Sequence, residues 1–264
     1  MQSRKAFFSF TEVPDPAQHR AYNAWHQLDH RPENLALPGV LHGERWVRPP
    51  DCAGPPAGSP LDALQYLNMY WFRDPAEESF RAWQELAERS YQWGRRPDTV
   101  LARRLMMGSF TPVKGYAGPR VLVSPAALPF RPNRGVYVRV TRLADPHGAA
   151  AHERFAWLDR EGVPRLLEAP GVAGVWTFAS QSTTLDAGWG AAAGSTTFDQ
   201  RPGLEPGRFR ILLAYLDADP LEFRSELPAG PHPEAEEPLL DGVLRAIAPW
   251  DWDWFDPVRQ EGSR

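Results

Sequence analysis

Asn23-Ala24-Trp25-His26-Gln27-Leu28-Asp29-His30-Arg31-Pro32-Glu33-Asn34-Leu35-Ala36-Leu37-Pro38-Gly39-Val40 settles the architecture, because its landmarks return 132 residues later. Ala24 and Trp25 recur as Ala156 and Trp157, Pro32 and Leu35 as Pro164 and Leu167, and Pro38-Gly39-Val40 as Pro170-Gly171-Val172. Upstream, Pro14 and Pro146 keep the same spacing. The offset is half of the 264-residue chain, as a tandem duplication would give. Further on the register slips: Asp74-Pro75, after Leu67 to Phe72, matches Asp219-Pro220, after Ile211 to Leu216. An insertion in the second copy explains the slip, and 188–206, rich in Gly, Ala, Ser and Thr, reads as that loop.

Working outward, Ala6 to Phe10 reads as a strand, and Asp15-Pro16 starts a helix that runs to Leu37 and stops at Pro38-Gly39. Val40 to Val47 and Gln65 to Phe72 read as strands. Asp74-Pro75 caps a second helix to Trp93, and Arg103 to Phe110 is the last strand of the copy. The order β-α-β-β-α-β is the ferredoxin-like split βαβ unit. Copy two offers strand Gly135 to Arg142, helix Gly148 to Glu168, and strands Val172 to Ala179 and Phe209 to Leu216. Pro228 and Pro231 break its second helix, which resumes over 234–247. Trp250 to Phe255 alternates like a half-buried edge strand, or else packs on the surface as a tail. The expected organisation is a first unit over 1–115, a linker over 116–133 and a second unit over 134–264. Each unit covers one sheet face with helices, so the two uncovered faces should meet. The expected fold is therefore α+β: two tandem ferredoxin-like units forming a barrel with antiparallel sheets and helices outside.

Composition narrows the function by exclusion. Net charge is −4, with the arginines dispersed among acids, so no basic footprint for nucleic acid is present. Cys52 is the one cysteine, which rules out an intramolecular disulfide or a thiolate metal site. The basic, briefly apolar start is too short for a signal peptide, and no apolar run is long enough for a membrane helix, so the cytoplasm is the expected compartment. Eleven tryptophans in 264 residues suit a protein that grips a flat apolar ligand. Neither a phosphate loop, a dinucleotide fingerprint nor a nucleophile elbow occurs.

The run from Asn23 to His30, with Pro32-Glu33, Leu37-Pro38-Gly39-Val40 and Arg45-Trp46, resembles the dimeric α+β barrel superfamily, and its EthD-like branch in particular. That resemblance implies cofactor-free monooxygenases, isomerases, cyclases, dehydratases or lyases acting on aromatic or polyketide-like molecules, with some heme proteins. It implies no metal at this helix, and a homodimer is an expected assembly. Copy two keeps Trp157 but has Leu158 where copy one has His26, and Gly162 where it has His30, so histidine chemistry belongs to copy one.

His26, Asp29 and His30 are the expected catalytic groups. Spacings of three and four place them on one side of a helix, where Asp29 could orient an imidazole as general acid or base. The competing reading has them solvating the helix surface. His26 and His30 also have the spacing of a helical metal pair, which His42 or Glu44 could complete. His147 and His152 are heme-ligand candidates only through the resemblance. Trp25, Arg45, Trp46 and Tyr70 are the expected substrate-binding residues. Arg45 and Trp46 are strand neighbours and must face opposite sides, as must Tyr70 and Trp71. An Arg there would hold an enolate or carboxylate, and a Tyr would donate to a carbonyl. The expected function is cofactor-independent acid/base chemistry on a hydrophobic aromatic or polyketide-like carbonyl compound. A non-catalytic small-molecule binder and a metal or heme enzyme are the alternatives.

Overall fold

A computed structural model describes residues 3–97, 101–189, 205–224 and 227–256. Its strands are β1 (Lys5–Glu12), β2 (Val40–Val47), β3 (Tyr66–Phe72), β4 (Arg103–Ala117), β5 (Gly135–Leu143), β6 (Val172–Trp189), β7 (Phe209–Leu216) and β8 (Glu236–Ala246). They close into one antiparallel barrel in the order β1-β3-β2-β8-β5-β7-β6-β4. Taken by halves, the order is 4-1-3-2 and then 8-5-7-6, the same arrangement once β5 to β8 are matched to β1 to β4. Closure gives every strand a neighbour on both sides, although β2 and β8 meet at two positions only.

Alternation sends one side of each strand into the lumen, which is packed solid. Phe8 lies 4.9 Å from Phe178 and 5.2 Å from Phe110, ring to ring, and Trp46, Met69 and Leu213 complete the layers. The opposite sides carry the helices. In the first half these are α1 (His19–Trp25), a π turn (His26–His30), α2 (Arg31–Leu35) and α3 (Ala76–Gln92). Phe80, Trp83, Leu86 and Ala87 form the buried stripe of α3, and the Trp83 ring sits 4.8 Å from Phe7 of β1. The second half repeats the broken first helix as α4 (Ala149–Trp157), a π turn (Leu158–Gly162) and α5 (Val163–Glu168). No helix among the described residues is long and apolar enough to cross a membrane.

Two local expectations need correction, and one open alternative is decided. The helix expected over 234–247 is strand β8. Leu239, Leu240, Val243 and Leu244 have helical spacing, but β5 and β2 would both be left with open edges without this strand, and that pairing outweighs the local pattern. Residues 250–255 form no strand. They pack as a tail, with the Phe255 ring stacked 4.0 Å from His19 and Asp256 paired to Arg20. The linker expected over 116–133 is partly structured: β4 runs to Ala117, and a 3-10 helix (Pro125–Phe130) drives Leu128 into the lumen. Most of the loop expected over 188–206 lies outside the described residues.

Candidate active site

The site is built between the broken first helix and the outer face of β2 and β3. On β2, Gly43 and Arg45 face the helix, whereas Trp46 faces the lumen. On β3, Tyr66, Asn68 and Tyr70 face the helix, whereas Leu67, Met69 and Trp71 face inward. The opposite-face expectation for each pair is what the strands show. Trp46 is corrected as a substrate-binding residue: it is fully buried in the lumen and donates from Nε1 to Asn133 Oδ1 at 3.0 Å. A Cβ at position 43 would meet the Tyr70 ring at 2.5 Å, so glycine there lets Tyr70 lie flat on the strand.

Arg45 is the centre of the arrangement. It is 3% exposed. Its Nε donates to Asn68 Oδ1 at 2.9 Å and its Nη2 to Asn23 Oδ1 at 3.1 Å. The guanidinium lies 5.3 Å from the Tyr22 ring and 5.6 Å from the Tyr66 ring. Among the described residues Nη1 has no hydrogen-bond partner, and no carboxylate pairs with the group. Burial pulls the guanidinium below its ordinary value, against the opposing influence of Tyr22, Tyr66 and Tyr70. A buried cation held by amide oxygens, ring faces and the Tyr22 hydroxyl, without a carboxylate, is an expensive arrangement that an incoming negative oxygen would relieve.

The π turn sets the histidines. Arg31 N–H bonds to His26 O across five residues. The wider turn keeps residues four apart close and swings the third one off the shared face. His26 and His30 therefore meet ring edge to ring face at 5.0 Å, and His30 stacks on Trp25 at 4.7 Å. Asp29, expected to orient them, is exposed and makes no hydrogen bond to either. His26 is 4% exposed and its Nδ1 has no partner. Its pKa is held well below the usual value, by burial first and then by the charge of Arg45, with smaller contributions from His30 and Arg104. The imidazole is neutral at pH 7.

His30 Nε2 lies 3.1 Å from Asn34 Nδ2, which also donates to Tyr70 Oη at 3.1 Å. Tyr70 accepts from the amide and so keeps its own proton for another acceptor. Asn23 Nδ2 donates to Tyr66 Oη at 2.9 Å, and His19 Nδ1 meets the same hydroxyl at 2.8 Å. Asn23, Asn34 and Asn68 escaped sequence reasoning. Their signal was a buried amide placed in the apolar stripe of a helix or strand.

The metal alternative fails on geometry. His42 and Glu44 share the parity of Trp46, so β2 stands between them and His26. Among the described residues no three His, Cys, Asp or Glu groups cluster for a metal. The heme alternative fits no better: His147 and His152 are exposed, and His152 Nδ1 is bound to Gly148 O at 2.9 Å.

No family model matches the sequence, and no curated protein matches it significantly. Solved structures match in fold. An anthrone oxidase-like protein aligns over 94% of this chain and 92% of its own, with a TM-score of 0.50 at 12% identity. A candidate monooxygenase from Fusobacterium nucleatum aligns over 94% of both chains, with a TM-score of 0.49 at 8% identity. A candidate chlorite dismutase aligns over 96% of this chain and 98% of its own, with a TM-score of 0.46 at 11% identity. The likeness to the anthrone oxidase-like protein bears on the fold alone and agrees with the closed α+β barrel.

Proposed function

We propose that this chain is a cofactor-independent enzyme that binds a small aromatic or polyketide-like carbonyl compound beside the π turn and enolises it. Neutral His26 takes the proton from the activated carbon. The electron pair moves onto the carbonyl oxygen, which Arg45 Nη1 and the Tyr70 hydroxyl receive. Returning the proton to a different carbon gives isomerisation. Expelling a β-hydroxyl gives dehydration, and reaction of the carbanion with dioxygen gives oxygenation. Trp25 and His30 wall the site and hold His26 edge-on. Asp29 has no part in this scheme.

The observation that carries the reading is the pair of buried, unpartnered nitrogens, His26 Nδ1 and Arg45 Nη1. Native proteins rarely leave such groups unsatisfied, and each costs about 1–3 kcal/mol unless a ligand completes it. The anthrone oxidase-like neighbour supports the substrate class by its name: deprotonating an anthrone places charge on its ketone oxygen. The two halves carry one strand order within a single chain, which supports the duplication and lets one chain close what two subunits would otherwise close.

The test is solvent deuterium exchange into anthrone under nitrogen, followed by dioxygen uptake. Wild-type protein should accelerate exchange. Arg45→Gln and His26→Phe should each lose about a hundredfold or more while keeping their near-UV spectra. Wild-type rates in both variants would overturn the assignment. One observation favours a second reading, that of a binder: a strongly depressed His26 is a weak base at rest. That reading predicts saturable binding with no exchange.

A further inference from the structure

The matching space in the C-terminal half is a cavity of about 410 Å³ between α4, its π turn and the outer face of β5, β6 and β7. That volume lies within the range of small-molecule sites. Histidine is absent from its lining, so it cannot repeat the chemistry of the first half. It is instead rich in cations: Arg139, Arg154, Arg210 and Lys114 face only Glu236 and Asp159.

These charges are not equally available. Glu236, nearly buried, lies 3.0 Å from Arg154 Nε and 3.4 Å from Arg139 Nη2. Arg154 Nη1 also donates to Ala229 O and Pro231 O. Lys114 pairs with Asp159 at 2.6 Å, and the Tyr116 hydroxyl donates to the same carboxylate. Arg210 is left over. Its guanidinium lies 4.1 Å over the Phe155 ring, its Nε is buried without a partner, and among the described residues no carboxylate forms an ion pair with it, Glu236 acting on it through its charge alone. Phe155, Leu158, Leu212 and Leu227 supply apolar wall around it.

We propose that this cavity is a second, non-catalytic binding site for an apolar organic carboxylate, with the carboxylate received by Arg210 and the body by Phe155, Leu158, Leu212 and Leu227. One unpaired guanidinium beside apolar wall suits a single negative headgroup on a hydrophobic body. A phosphate would ask for several free donors, and Arg139 and Arg154 are already committed to Glu236. The inference goes beyond the enolisation reading and does not depend on it.

Calorimetric titration of the full chain with 1-naphthoate and its neutral isostere 1-naphthamide, in an Arg45→Gln background so that the N-terminal site does not contribute, tests the site. Naphthoate should bind once per chain and at least about tenfold more tightly than naphthamide. Adding Arg210→Gln should remove that preference. Adding Ala156→Phe, which fills the cavity from α4 without touching a charge, should weaken naphthoate by at least about tenfold. Equal affinity for acid and amide, undiminished naphthoate affinity in both cavity variants, or no saturable binding would each overturn the proposal.

Discussion

Arg45 and His26 are both held in unusual states. The cation depresses the imidazole, and burial disfavours charge on both. His19 behaves similarly, its pKa pulled down to about 4, chiefly by burial. The consequence for stability has a definite sign. Both folded values lie below the unfolded value of about 6.5, so between them the unfolded chain binds more protons. Stability is whole above pH 6.5 and falls as pH drops toward 4, by up to about 1.4 kcal/mol per pH unit for each histidine. Urea unfolding at pH 7.5 and 5.0 should show this loss, and His26→Phe should reduce it. A flat profile would mean that the histidines are not buried as described. At this scale the charged and aromatic members of the site were legible, since Arg45, Tyr70, His26 and His30 stand out by type and strand parity assigns their faces. The amides were not. Asn23, Asn34 and Asn68 belong to no motif, and only tertiary packing shows that they carry Arg45, Tyr70 and His30.

The π turns are the elements that separate this chain from a simple helical reading. Each amounts to one extra residue inside a helix. In the first half it brings His26 to His30 and sends Asp29 outward. Deleting Leu28, which is 45% exposed, should restore α-helical pitch and move His30 off Trp25. The deletion variant should keep its circular dichroism spectrum and lose at least about tenfold in anthrone turnover. Retained turnover would show that the turn does not position the site. Residue periodicity cannot reveal such a turn, because α and π spacings differ by less than a residue per turn. The same limit explains β8. Its leucines and valine match a helix as well as a bulged strand, and only the unpaired edges of β5 and β2 decide between them.

At the scale of the molecule, the two seams that join the halves are equivalent in order and unequal in extent. β4 and β6 pair from Arg103↔Trp189 to Ala117↔Gly174, whereas β2 and β8 pair only at Trp46↔Ala246 and Val47↔Arg245. Local opening should start at the shorter seam. Hydrogen exchange read at β2 and β8 should therefore outpace that at β4 and β6, and the reverse order would contradict the barrel as described. The barrel was legible because the repeat implied two sheets needing cover, and an α+β unit meets that need by joining its own kind. The division of labour between the halves was only half legible. The sequence showed that Leu158 and Gly162 stand in the second half where the first has His26 and His30, while the arginine-lined cavity draws on β5, β6, β7 and β8 and has no linear motif.

The central claim is that Arg45 receives a negative oxygen. The most direct measurement is the spectrophotometric pKa of 1-naphthol bound to the protein, in an Arg210→Gln background so that the C-terminal cavity does not contribute. The account predicts that bound naphthol ionises at least about one pH unit below free naphthol, and that adding Arg45→Gln abolishes the shift. A bound phenol whose pKa rises, or one lowered equally in the Arg45→Gln protein, would contradict it.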